Sequence, residues 1–216
     1  GWIEKYFGPI AKGNDFNRPN NPQPKLSGEV RKSYEDAVPF PRVSMVWNSV
    51  PQFSNDEAAL DMLSSILSSG RGSRLQSNLN YGKELVSQVF ANNGTNEIGG
   101  LFQISALARP GKTLDEIEKE INLEIDRIKK DPPTAEEMAR ALNARESSFI
   151  YGLESAIGKG SQFSNYAGFL KKPDYFQTDL DRYRKVTPAD VQRVASQYLS
   201  NNRLVMSYVP GKPAAT

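Results

Sequence analysis

The chain has 216 residues, 38% of them hydrophobic and 24% charged, and 27 basic against 25 acidic side chains leave a formal net charge of +2. That length suits one domain or two small ones, and so small a net charge gives no field that argues for nucleic acid or an anionic membrane as partner. The sequence contains neither cysteine nor histidine, which excludes disulfides, thiol nucleophiles, Cys/His zinc sites, a Ser-His-Asp triad and a histidine general base within it.

Gly1 to Pro9 reads as the last turns of a helix without its beginning, and the missing initiator Met leads us to expect an excised piece of a longer chain, with Gly1 foreign to it. Residues 9–25 are rich in proline and asparagine, with Ile10 and Phe16 as their strongly apolar side chains, and read as a linker. Leu26 to Glu35 and Arg42 to Asn48 follow as strands, the second alternating Val43, Met45 and Trp47 with Arg42 and Ser44. Four helix starts then share one grammar, Ser or Thr followed three residues later by an acid, so that side chain and backbone amide satisfy each other reciprocally. The first is Ser54/Glu57. Leu85 to Asn92 and Ile98 to Ala108 are β-like, with Asn93-Gly94-Thr95-Asn96 as the hairpin turn between them. The second start, Thr113/Glu116, opens a helix whose Leu114, Ile117, Ile121, Ile125 and Ile128 make one apolar stripe.

Thr134/Glu137 opens a helical stretch running to about Lys185, with breaks expected at Gly158-Lys159-Gly160 and Lys172-Pro173. Thr187/Asp190 adds Pro188 at the first helical position, where a missing amide donor costs nothing, and Leu204 to Val209 closes as a strand. Strands in pairs with helices gathered between them predict an α+β two-layer sandwich, its mainly antiparallel sheet packed by helices. No apolar run approaches the roughly 18 residues needed to span a bilayer. Composition leaves the compartment open, bacterial periplasm and cytoplasm alike.

Motif by motif, the chemistry is thin. Gly152 to Lys159 fails as a phosphate loop, because five residues rather than four separate Gly152 from Gly158 and Gly160 stands where a hydroxyl is required. Asp115/Glu116 and Glu136/Glu137 sit in first turns, where they serve cap and dipole rather than acid and base. Tyr81, Tyr151, Tyr166 and Tyr175 have no period that implies base stacking. Trp2, Tyr6 and Phe7 form either an aromatic patch or a surface that met a missing neighbour. Gly70-Arg71-Gly72-Ser73-Arg74 carries two guanidinium groups on a flexible backbone, which could hold a phosphate or a carboxylate or simply make an interhelical turn.

Several segments, in order, resemble one family. Ile3-Glu4-Lys5-Tyr6-Phe7-Gly8 resembles the last helix of a preceding domain, and Pro39-Phe40-Pro41-Arg42-Val43-Ser44-Met45-Val46-Trp47 the strand that opens a second one. Asn55 to Leu67, followed by Gly70 and Ser73-Arg74-Leu75, resembles a helix-glycine-SRL signature. Val186-Thr187-Pro188-Ala189-Asp190-Val191, Tyr198-Leu199 and Asn202 to Pro210 resemble the closing helix and strand. The family is that of the pitrilysin/insulinase zinc metallopeptidases, which includes the mitochondrial processing peptidases, and the likeness spans nearly the whole chain.

The resemblance implies a metallohydrolase-like fold in three parts: residues 1–25 as the end of a preceding domain's helix and a linker, residues 26–212 as the second, non-catalytic domain of a half-molecule, and residues 213–216 as a tail. It implies zinc in a catalytic domain of the parent chain or of a partner, and none in this chain. It implies three partners: an upstream zinc-bearing domain, a second half-molecule and an unfolded peptide. The domain would then be part of a chamber wall, inactive by itself, with the hairpin from Leu85 to Ala108 as the face on which a peptide could add by edge-strand pairing. The family also uses an Arg and a Tyr seven residues apart, after the SRL signature, to hold substrate near the zinc. Gapless alignment puts Asn80 at the Arg position and Ser87 at the Tyr position, a degenerate pair. Arg74 and Tyr81 are also seven apart and, with Arg71, are the candidate substrate contacts. The alternative function is that of a scaffold domain in a non-proteolytic relative, like the core subunits of respiratory complexes.

Overall fold

The computed structural model describes residues 1–14 and 23–211. Part of the expected linker, Phe16 included, and the expected tail at 213–216 lie outside the described residues. The elements run α1 (Trp2–Phe7), β1 (Val30–Asp36), β2 (Arg42–Ser49), α2 (Glu57–Ser68), a π-helical segment (Gln76–Gly82), β3 (Val86–Thr95), β4 (Gly100–Ala108), α3 (Leu114–Lys130), α4 (Ala135–Gly152), α5 (Ala156–Leu170), α6 (Phe176–Arg184), α7 (Pro188–Tyr198) and β5 (Leu204–Pro210). One five-stranded sheet has the order β1-β5-β2-β4-β3. Its β2–β4, β2–β5 and β3–β4 pairs are antiparallel and β1–β5 is parallel. The expected α+β fold with a mainly antiparallel sheet packed by helices is what forms.

Alternation in β2 decides which side of the sheet is inside. Val43, Met45 and Trp47 are buried to 1% exposure or less, and opposite them lie Ala106, Ile104 and Phe102 of β4. The α3 stripe of Ile117, Ile121, Ile125 and Ile128 joins Leu60, Leu63 and Leu67 of α2 and Val191, Val194 and Ala195 of α7 in that same core. The sheet therefore has one helix-covered face and one face turned away.

Three of the four expected capping boxes form, at Thr113/Glu116, Thr134/Glu137 and Thr187/Asp190. The one at Ser54/Glu57 does not. α2 starts at Glu57 without a side-chain cap, because the Glu57 carboxylate is drawn into a buried cluster: it accepts from Arg182 Nη2 at 2.7 Å, Thr95 Oγ1 at 2.8 Å and the Phe53 amide at 2.6 Å.

Other boundaries move for physical reasons. β1 begins at Val30 rather than Leu26, since its only partner in the sheet, β5, starts at Leu204, the residue opposite Val30. Asn93, Gly94 and Thr95 extend β3 instead of turning, because Asn93 is held by Asp61 and Ser49 and Thr95 by Glu57; the bend falls at Glu97–Ile98, where Asn96 donates its amide to the Gly99 carbonyl. The first helical break lies at Leu153–Ser155, not at Gly158–Gly160. Ser155 caps α5 by accepting the Gly158 amide at 3.0 Å, and a Cβ on Gly158 would overlap the Gly152 carbonyl oxygen, so this glycine permits a close approach rather than a kink. The expected break at Lys172-Pro173 is present, with α5 ending at a left-handed Lys171 (φ 58°).

Candidate functional site

The segment matching the SRL signature follows a left-handed Gly70 (φ 77°) whose carbonyl accepts the Ser73 hydroxyl at 2.7 Å. Leu75 and Leu79 are fully buried, which fixes the intervening side chains on the surface between α2 and β3. Arg74 donates through Nε and Nη2 to Glu137 at 2.7 and 2.9 Å, and that guanidinium holds the Glu137 carboxyl below its ordinary range. The same Glu137 closes the α4 capping box, so the pair pins α4 to the SRL segment. Arg74→Ala is expected to cost about 1–3 kcal/mol in urea unfolding, a partly buried charge-assisted pair being lost; a double-mutant cycle with Glu137→Gln returning less than about 0.5 kcal/mol of coupling would contradict this.

The sequence candidates separate into two groups. Arg71 and Tyr81 meet, the guanidinium lying 4.5 Å from the ring centroid, and both are exposed. Arg74 faces Glu137 instead. Asn80 accepts from Arg109 Nη2 at 3.0 Å and donates to Gln76 at 3.1 Å. Ser87, exposed at the irregularity that opens β3, donates to the Leu107 carbonyl at 3.3 Å. Arg109, which no spacing in the sequence singles out, ties Asn80 to the start of β3 by also donating to the Val86 carbonyl at 2.9 Å.

β3 is an edge strand, but its outer rim is partly occupied. The Ser68 hydroxyl accepts the Ala91 amide at 2.7 Å, and Gln76 Nε2 donates to the Val89 carbonyl at 2.7 Å. Side chains from α2 and the π-helical segment thus cap the groups a new strand would need, a usual protection of sheet edges. The strand addition expected on this hairpin is blocked across Val89–Ala91.

What the hairpin does offer is a face. Side chains opposite in parity to the core, namely Ser44, Val46 and Asn48 of β2, Leu101, Gln103 and Leu107 of β4, Phe90 and Asn92 of β3, and Met206 and Tyr208 of β5, lie on the side away from the helices. Phe90 and Leu101 are about half exposed, at 48% and 52%, while the Ser44 and Ser105 hydroxyls hydrogen-bond each other at 2.9 Å across the strands. Arg42 stacks over Tyr208 at 4.6 Å, and Tyr208 stacks on Tyr34 of β1. On β3 and β4 half-exposed apolar groups alternate there with uncharged hydrogen-bonding ones, while β2 and β1 add Arg42 and Lys32.

On the helical side, at the β3 rim, lies a cavity of about 370 Å³ lined by α2, β3, α4 and Tyr183. Asp61 stands at its base, accepting from Tyr183 Oη at 2.6 Å and Asn93 Nδ2 at 2.8 Å. Burial raises the Asp61 pKa, with the neighbouring Glu57 carboxylate adding to it. A folded-state carboxyl pKa above the unfolded one means that the folded state binds the extra proton, so this contribution to stability falls as pH rises through that interval. Asp61→Asn is therefore expected to gain on the wild type as pH is raised from about 4 to 7; urea titrations in which the difference stays flat, or reverses, would refute it.

Geometry and composition thus define a two-layer α+β domain in which, among the described residues, no group of three or more His, Cys, Asp or Glu side chains could hold a metal ion. The profile of the family described as Peptidase M16 inactive domain matches residues 1–145, and the chain belongs to that family. It is 29% identical over 184 residues to the zinc protease PqqE of Helicobacter pylori, an alignment covering 84% of this chain and 41% of that protein. A crystal structure of a protease from Helicobacter pylori superposes with a TM-score of 0.85 at 25% identity, over 96% of this chain and 51% of the other. An inactive peptidase domain from Bordetella parapertussis superposes with a TM-score of 0.73 at 24% identity, over 84% and 97% of the two chains. The chain accordingly spans about two fifths of the curated relative and about half of the Helicobacter structure.

Proposed function

We propose that this domain is a non-catalytic wall of a peptide-enclosing chamber in a zinc-dependent metallopeptidase, and part of the interface that keeps two halves of that enzyme apposed. The observation that carries the reading is the face of the sheet that no helix covers among the described residues. It combines half-exposed Phe90 and Leu101 with Gln103 and Asn92, a surface that can contact extended peptides of many sequences through apolar area and uncharged hydrogen bonds, while Asn48 beside them donates to the Pro24 carbonyl. The residues of this chain do not fit zinc, since it has no His or Cys and no acidic cluster of the required size among its described residues; the ion belongs to a catalytic domain of the parent or of a partner half. Arg71 and Tyr81, stacked and exposed, are the groups we assign to polar contact with the peptide at the rim, while Asn80 and Ser87 leave the Arg/Tyr pair to a different half.

The test is cleavage of an unstructured quenched peptide, with and without a zinc chelator. It compares this chain with a parent extended through the preceding domain and mixed with its partner half. Chelator-sensitive cleavage by the extended assembly alone, reduced by Phe90→Ser or Leu101→Ser, is the expected result. A folded complex that cleaves nothing would replace this reading with that of an assembly scaffold.

A further inference from the structure

The cavity between α2, β3 and α4 is lined by a cation that the fold engages only loosely. Arg145 stacks on the Tyr183 ring at 4.2 Å, its Nε is buried with no hydrogen-bond partner, and its nearest carboxylate, Asp179, is 4.0 Å away. Asp179 is already engaged by Arg182 at 2.9 Å and by Tyr166 Oη at 2.9 Å. Around the same space, the hydroxyls of Ser65, Ser69 and Ser148 line the cavity and no side-chain hydrogen bond engages them among the described residues. A buried guanidinium nitrogen without an acceptor is costly to the fold by itself. Nε itself is closed to solvent, but the side chain as a whole is 38% exposed and its Nη groups make no hydrogen bond among the described residues, so an incoming acceptor would meet those.

The charges nearby decide what kind of acceptor. Asp61, Glu57 and Asp179 face the cluster from α2 and α6, against Arg145 and Arg182 alone. An incoming carboxylate or phosphate would add to an excess of negative charge, whereas a neutral carbonyl oxygen gains the guanidinium donors without that repulsion. We propose that this cavity is a subsite for peptide main chain. Arg145 donates to a peptide carbonyl, and the Ser65 and Ser148 hydroxyls take the adjoining amide and carbonyl groups. Its volume of about 370 Å³ lies at the small end of the roughly 300–1,000 Å³ range of ligand pockets, which suits a few atoms of chain rather than a large side chain. Ala91, Asn92 and Asn93 line it from β3, so a peptide leaving the sheet's uncovered face around the β3 rim would enter it where strand addition is blocked. The proposal rests on the chamber-wall reading and refines it.

The test is an NMR titration of this chain with an uncharged, unstructured peptide carrying an acetylated N-terminus, made both with an amidated C-terminus and as the free acid. The expected result is that amides of Ala91–Asn93 and Ser65 shift on binding, with equal affinity for the two forms. Arg145→Ala should weaken binding about tenfold or more, Arg145→Lys should weaken it less, and Ser148→Trp, which fills the cavity from an exposed position and removes one of the proposed hydroxyl contacts, should do the same as the alanine variant. Peptide that binds Arg145→Ala and Ser148→Trp as well as wild type, while Phe90→Ser loses it, would overturn the subsite and leave the wall reading standing. Tighter binding of the free acid would overturn the neutral-carbonyl assignment. No binding by the wild type in either form would overturn both.

Discussion

Arg182→Ala is expected to destabilise the domain by about 3–5 kcal/mol, a large fraction of the roughly 5–15 kcal/mol of a typical domain. Arg182 sits on α6 and reaches into the start of α2, donating to Glu57 at 2.7 Å, to Asp179 at 2.9 Å and to the Ser54 carbonyl at 3.0 Å. The Glu57 and Asp179 side chains are only 7% and 3% exposed. Removing the cation strands two carboxylates where water cannot replace it, and that desolvation, rather than the attraction lost, makes the effect large. Phe53, held at a φ of 60° with its amide bonded to Glu57, would also lose the guanidinium that lies 5.6 Å from its ring. Urea unfolding is the measurement. Arg182→Lys, which keeps the charge but not the planar fork, should fall between wild type and alanine, and a loss under about 1 kcal/mol for the alanine variant would show that the carboxylates find other partners or protons.

Trp47→Ala should cost a similar amount, about 3–5 kcal/mol. The indole is 1% exposed at the centre of β2, meets Phe102 edge-on at 6.4 Å, and donates from Nε1 to the Ser200 carbonyl at 2.7 Å. The Arg203 guanidinium lies 5.7 Å from its ring. Truncation opens a cavity in the layer between sheet and helices, and it leaves the Ser200 carbonyl, between α7 and β5, without its donor. Trp47→Phe restores part of the volume but no donor, and should recover about half of the loss. Thermal and urea unfolding that place alanine and phenylalanine level would mean that the hydrogen bond, and not packing, carries the effect.

The sequence was legible wherever one short-range rule acted without competition. The 3-4-4-3 spacing in α3, the Thr-x-x-acid starts of α3, α4 and α7, and the alternation in β2 are local patterns, and the elements sit where those patterns place them. The pattern failed where a local signal met a long-range partner. Ser54/Glu57 has the same capping grammar as the other three starts, yet Arg182, 125 residues away, takes the acid. Asn93-Gly94 is a strong turn signal, yet Asp61 on another element keeps Asn93 in a strand.

The candidate site divides along the same line. Arg71 and Tyr81 were visible as residue types near an SRL segment, but only folding sets the guanidinium of Arg71 over the ring of Tyr81, which lies in the π-helical segment, and brings α4 with Glu137 beside Arg74. Arg145 and Asp61 carry no signal at all in the sequence. Each is an ordinary polar residue on a helix until α2, α4 and α6 converge and enclose them.

By itself, the sequence determined the fold class, the family resemblance and the absence of histidine and cysteine chemistry, since these depend on composition and on periodicities a few residues long. Tertiary structure alone decided which face of the sheet is left uncovered, that the β3 rim is capped, and which charges are paired or left over. Those outcomes are set by contacts between groups more than a hundred residues apart in some cases, as with Arg182 and Glu57. Their energies depend on burial, and burial exists only once the chain has folded.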